Sequence, residues 1–138
     1  MKLVPKIAVA SVGVFLALQF FQPDRSAPPV SADFDGPVQV KAILQKKCYE
    51  CHSNETQWPW YSYVAPLSWW IEDHVVEGRK ELNFSKWGNY KSKSEKMEEI
   101  YDEVADELMP LKSYLITHPS HKVTGEELEI IEAWAFDE

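Results

Sequence analysis

The residues of this 138-residue chain with the clearest chemistry lie together, in the run Cys48-Tyr49-Glu50-Cys51-His52, which holds its only two cysteines. C-x-x-C-H is the spacing through which haem c is attached. Two intervening residues set the thiols apart on one helical turn so that each can add across a haem vinyl group. The next residue then offers its imidazole to the iron as proximal ligand. One haem c per chain is the cofactor this pattern implies. Three other uses of the same residues stand beside it. A thioredoxin-like redox pair would need a βαβ setting. A zinc site would combine both thiols with two of His52, His74, His118 and His121, of which only the last pair approaches finger spacing. A disulfide between adjacent turns would constrain little.

A sixth iron ligand has one favoured candidate. Met109 precedes Pro110, and the residue before a proline is biased out of the helical region, so Met109 should leave a helix end and present its thioether from a loop. Its soft sulfur would favour the ferrous state; Met109 could equally be a core filler. His74 is the main competitor, on an apolar helical stripe where a buried imidazole needs a partner. His118 and His121 flank Pro119 in what reads as an exposed loop. Trp58, Trp60, Tyr61 and Tyr63 could line a haem face or fill ordinary core. Arg79 could pair with a propionate or with surface acids. Gly78 on the apolar stripe implies close approach of another backbone or of the haem.

The elements that must position these residues read as helices, with no convincing strand. The first spans Pro37 to about Cys48, with Pro37 at its start and Val40, Ile43 and Leu44 on one face. A second runs from Pro66 to about Leu82, its stripe formed by Leu67, Trp70, Ile71, His74, Val75, Gly78 and Leu82. The third covers about Lys93–Leu108, opened by a Ser92/Glu95 capping box, with Met97, Ile100, Tyr101, Val104 and Leu108 inward. The fourth follows Thr124, boxed by Glu127, and turns Leu128, Ile131, Trp134 and Ala135 inward. A short helical turn is expected near 111–116, and Asn83 with Ser85 is expected to turn the chain after the second helix. The fold class is all-α: one small helical domain over 37–138.

Ahead of it, Lys2 and Lys6 precede an apolar run from Ile7 to Phe21 broken by Gln19. Residues 1–21 read as a signal-anchor or a signal peptide, the anchor favoured because no cleavage site is evident. Residues 22–36, rich in Pro, Ser, Ala and Asp, read as a semi-extended tether. The chain beyond residue 32 carries 11 basic and 21 acidic side chains, a net −10, which repels phosphate backbones, and no basic patch with interleaved aromatics offsets it, so nucleic acid is not an expected partner. The acidic run from Glu98 to Glu107 reads as a solvated helix face, or as a docking surface for a basic redox partner.

From Cys48 to Trp87 the chain reads CYECHSNETQWPWYSYVAPLSWWIEDHVVEGRKELNFSKW, and from Met109 it reads MPLKSYLITHPSHKVTGEELEIIEAW. With its CHSNET, PWY, AP, GR and NFS-x-W features it resembles the small bacterial haem-binding domain family related to cytochrome c, over about residues 34–136. That resemblance implies a c-type haem domain, often membrane-tethered. The chain is therefore expected to be a monohaem electron carrier on the periplasmic side of the inner membrane, with His52 and Met109 on the iron and redox proteins as partners. No acid–base pair or nucleophile constellation points to an enzyme. The alternatives are a haem-based sensor of small ligands, which needs a labile or absent sixth ligand, and an accessory subunit whose haem is structural.

Overall fold

The computed structural model describes residues 3–136, and among them every regular element is helical: seven α-helices and three short 3-10 turns. The first, α1 (Leu3–Leu18), is apolar on all sides beyond Lys6 and exposed along nearly its whole length. At 16 residues it falls short of a full span, and no described helix is long and apolar enough to cross a membrane. Met1 and Lys2, part of the expected targeting segment, lie outside the described residues.

The body begins with α2 (Val38–Lys47), entered from Pro37 and closed by Lys46 and Lys47, whose charges oppose the partial negative charge at the helix end. One residue later α3 (Tyr49–His52) carries the second cysteine and the histidine. The stripe expected over 66–82 becomes α4 (Leu67–Glu81). The acid-rich segment becomes α5 (Lys93–Ala105), the 111–116 turn becomes α6 (Lys112–Thr117), and the last helix is α7 (Gly125–Ala135). Thr124 and Glu127 form the full reciprocal capping box at α7, whereas Ser92 accepts from the Glu95 N–H at 3.4 Å without the return bond.

Two local expectations are corrected. α5 stops at Ala105, not near Leu108, because Glu107 turns left-handed (φ 55°). The Glu107 N–H then bonds the Val104 carbonyl and the Leu108 N–H bonds the Glu103 carbonyl, the pairing that closes a helix with a left-handed residue. Leu108, outside the helix, is exposed instead of belonging to the buried stripe. On α4, Leu67 and Trp70 are also exposed, while Val75 is buried.

The core is aromatic. Phe34, Phe84, Trp87 and Trp134 meet edge-on or tilted with ring centroids 5.1–6.0 Å apart, and Tyr49 stacks on Phe84 at 5.1 Å. Val40, Ile43 and Leu44 of α2, Ile100 of α5 and Ile131 of α7 close around them. Such aromatic pairs contribute roughly 0.5–1.5 kcal/mol each beyond their area burial. The expected tether does not swing free. Its Ser31 and Ala32 N–H groups both donate to the Ser85 carbonyl, and Phe34 enters the core. Asp33 receives hydrogen bonds from Lys41 and Tyr49.

Candidate functional site

The helices α2, α3 and α4 bring the C-x-x-C-H motif to the edge of the core. α4 packs across α3, and Gly78 makes this possible: a methyl group there would lie 2.9 Å from the Cys51 carbonyl oxygen. The close approach expected from a glycine on the stripe is thus an approach to the motif's own backbone. It delivers the end of α4 to His52, whose Nδ1 lies 2.9 Å from the Gly78 carbonyl oxygen and 3.1 Å from that of Leu82. With two acceptors facing it, Nδ1 carries the proton. The Gly78 carbonyl also accepts from the Leu82 N–H at 3.0 Å, so it is shared, whereas Leu82 lies at the helix end, where carbonyls lack an intrahelical donor. Burial pushes the His52 pKa below its usual value against the pull of those carbonyls, so the ring is neutral and Nε2 keeps its lone pair. A neutral imidazole with one nitrogen fixed by a carbonyl is the arrangement found at protein metal ligands.

The loop after His52 is locked to the turn after α4. The Phe84 N–H donates to the His52 carbonyl, the Asn54 N–H to Ser85 Oγ, and Asn83 Nδ2 to Asn54 Oδ1. Asn83 and Ser85 make the expected turn, with the Ser85 N–H donating to Asn83 Oδ1. Ser53, Asn83 and Ser85 are all buried. Arg79, a candidate propionate partner, is directed elsewhere: Nε donates to the Ser53 carbonyl at 2.7 Å and Nη2 to Thr56 Oγ1 at 3.0 Å. It therefore holds the segment following the motif.

Cys48, Cys51, His52 and Met109 all line one predominantly apolar cavity of about 280 Å³, together with His74, Gly78, Leu111 and Tyr114. A neighbouring space of about 170 Å³ shares Cys48, His52, Glu81 and Met109 and reaches Phe84, Ile100 and Val104. A third, of about 480 Å³, shares Cys51, His74, Leu111 and Tyr114 and is walled by Trp58, Trp60, Tyr61, Trp70 and Ile71. The cleft these spaces form is apolar with an acidic margin of Asp73, Glu77 and Glu81 along α4 and Glu99 and Glu103 on α5. The described residues fit a haem: two thiols, an imidazole with a free nitrogen and a thioether face one largely apolar cleft. Cys48 and Cys51 are free thiols. Burial pushes Cys48 up to about 12, and burial with the neighbouring Glu50 pushes Cys51 up to about 11, so both are protonated. No group of three or more His, Cys, Asp or Glu among the described residues is placed to hold a bare metal ion. The absence of strands among them removes the βαβ setting that a thioredoxin-like pair requires.

The structure places the competing histidines in different surroundings. His74 lines the cleft, with Nδ1 2.7 Å from the Trp70 carbonyl. His118 and His121, expected to be solvated or bonded locally, are half-buried and bonded locally, to Thr117 and Tyr114 respectively. His118 stacks on the Tyr114 ring at 4.3 Å, and His121 Nδ1 lies 2.6 Å from the Tyr114 hydroxyl, which donates to Glu50 Oε2 at 2.8 Å. Sequence reasoning missed this Glu50–Tyr114 link. Its partners are 64 residues apart and no local pattern signals it; the i, i+4 spacing of Tyr114 and His118 signals only their stacking. Burial and the Glu50 carboxylate together push the Tyr114 hydroxyl well above the usual phenol range.

No curated protein and no solved structure matches the chain. The model of one family, the haem-binding domain, matches residues 13–137. Nearly the whole chain is covered, and the chain belongs to the haem-binding domain family.

Proposed function

We propose that the protein is a c-type monohaem electron carrier, membrane-tethered on the periplasmic side, with its haem bound through Cys48 and Cys51 and ligated by His52 and Met109. The observation that carries this reading is the convergence of those four residues on one apolar cleft, with His52 Nδ1 committed to the α4 carbonyls. In attachment each thiol adds across a vinyl group, sulfur to one carbon and hydrogen to the other, with nothing lost or oxidised. The haem, once bound, supplies one-electron exchange between ferric and ferrous iron. The chain's own part is to orient the proximal imidazole, keep water from the apolar walls and offer a thioether. Met109 is held for that part from behind, its N–H donating to the Glu103 carbonyl at the capped end of α5. The acidic margin of the cleft suits a partner with a basic face.

One second reading has an observation behind it. His74 lines the same cleft with Nδ1 occupied by the Trp70 carbonyl, so its Nε2 could serve as sixth ligand in place of Met109. The test is the absorption spectrum of protein matured with the c-type attachment machinery. Haem that resists acid–organic extraction establishes covalent linkage. A weak red-region band of ferric thioether ligation, present in the wild type and lost in Met109→Ala, establishes Met109. Absence of that band in the wild type, with loss of low-spin character in His74→Ala, transfers the role to His74. Haem removed by extraction overturns covalent attachment.

A further inference from the structure

Residues 56–71, TQWPWYSYVAPLSWWI, contain no charged or histidine side chain, in a body of net charge −10. Four of the six tryptophans lie in this stretch. They are not in the core: Trp60 is 79% exposed, and Tyr63, Leu67, Trp69 and Trp70 are also exposed. Ile116, 81% exposed, borders the same cavity as Trp60, Leu67 and Trp70. An apolar, uncharged face of this kind on an otherwise acidic protein marks a contact surface.

Its place relative to α1 identifies the contact. Beyond Lys6, α1 is apolar all round, and its end is fastened to this stretch with no spacer. Gln19 Nε2 donates to the Ala65 carbonyl at 3.1 Å, and Gln19 Oε1 accepts from the Ala65 N–H at 2.9 Å. Trp69 Nε1 donates to the Phe21 carbonyl at 2.6 Å. Arg25 Nη2 donates to the Ser62 carbonyl, with its guanidinium 4.4 Å above the Tyr63 ring. Sixteen helical residues reach ~24 Å, against a hydrocarbon core of ~30 Å. A bilayer that takes α1 therefore has its surface at, or slightly beyond, Gln19–Phe21, the level of the body residues bonded to them. Phe20 and Phe21, 87% and 69% exposed, continue the apolar surface across the joint.

We infer that the face formed by Trp60, Tyr63, Leu67, Trp69 and Trp70 rests in the interfacial layer of the bilayer that takes α1, which fixes how the haem domain sits on the membrane. Tryptophan and tyrosine are the side chains that favour this layer, their rings apolar and their N–H or O–H groups wet. The acidic side chains of α5 lie on another helix, and no large hydrophobic side chain of that helix is exposed. The inference rests on the reading of α1 as a membrane anchor.

The test uses the full haem-loaded chain in phosphatidylcholine vesicles at less than one chain per vesicle, with a trace of lipid bearing a diazirine near the headgroup end of its acyl chain. After irradiation, lipid adducts are mapped by mass spectrometry. Adducts on 60–70 at least about fivefold above those on Lys93–Ala105, together with adducts on α1, are the expected result. Adducts on α1 alone overturn the inference and leave the anchor standing. Failure of the chain to float with the vesicles overturns the anchor reading itself. Adducts on 60–70 that disappear as loading is raised, while those on α1 persist, assign the face to a second copy and also overturn it.

Discussion

Replacing Gly78 with alanine sets two effects of opposite sign against each other. On helix propensity alone the change should stabilise α4 by roughly 0.8–1 kcal/mol, because glycine is that much poorer than alanine in a helix interior. The structure opposes this gain. The new methyl would lie 2.9 Å from the Cys51 carbonyl oxygen and 3.3 Å from both the Cys51 carbonyl carbon and its Cβ. Two of these are backbone atoms of the C-x-x-C-H turn and cannot rotate aside. Overpacking of this kind costs roughly 1–3 kcal/mol, so the variant should be about 1 kcal/mol less stable. For a body of ~100 residues that lowers Tm by roughly 4–8 °C. α4 can relieve the clash only by withdrawing from α3, which lengthens the 2.9 Å bond between His52 Nδ1 and the Gly78 carbonyl. A looser carbonyl makes the imidazole a weaker donor, and the haem potential should rise. The control is Gly125→Ala, where a methyl meets nothing within 4 Å and stability should rise by a few tenths of a kcal/mol. Thermal unfolding and redox titration of the haem-loaded variants make the measurement. If the alanine at 78 raises Tm as the one at 125 does and leaves the potential unchanged, the close-approach argument is wrong.

Other consequences can be checked on the same preparation. Lys47 is buried, with Nζ 2.6 Å from both Glu127 Oε2 and the Lys122 carbonyl, so Glu127→Gln, which keeps an acceptor but removes the counter-ion, should cost about 1–3 kcal/mol. Burial alone would raise the Glu127 carboxyl, but hydrogen bonds from Lys47 and the Thr124 N–H hold it below its usual 4.5. Its contribution is therefore complete above pH ~4.5 and lost as pH falls through the lower folded value, and denaturant midpoints in Glu127→Gln should lack that acid-side decline. Glu107→Asn should stabilise by about 0.5 kcal/mol, since asparagine tolerates the left-handed backbone and the 3.7 Å pair given up with Lys122 is exposed at both ends; chemical denaturation reads this directly. Tyr114→Phe removes the hydroxyl shared by Glu50 and His121 and should cost about 1 kcal/mol, with no change in covalent haem content if the link is only structural.

The chain's local chemistry was readable without coordinates wherever a short run of residues determines its own conformation. The C-x-x-C-H spacing, the Thr124/Glu127 box and the Asn83/Ser85 turn are of this kind, because the interacting groups lie within a few residues of one another. Gly78 was legible as a point of close approach, since a glycine on a buried helical stripe needs a reason. Its contact was not, because Cys51 is 27 residues away and nothing local reports which backbone arrives. The same limit explains Phe34 entering the core from an apparent tether, and Arg79 serving the loop after the motif. It also explains the end of α5 three residues short of its apolar period, where a glutamate in place of the usual glycine takes the left-handed position.

By itself, then, the sequence determined an all-helical body, the location of its C-x-x-C-H motif and an apolar N-terminal helix, since periodicity and spacing are encoded residue by residue. Only the tertiary structure decided that Met109 and His74 share a cleft with Cys48, Cys51 and His52, and that His52 is oriented by the end of α4. It also decided that the tryptophan-rich stretch lies outside the core and beside α1. Those are relations between segments far apart in the chain, set by which faces close around the aromatic core, and no local pattern carries them.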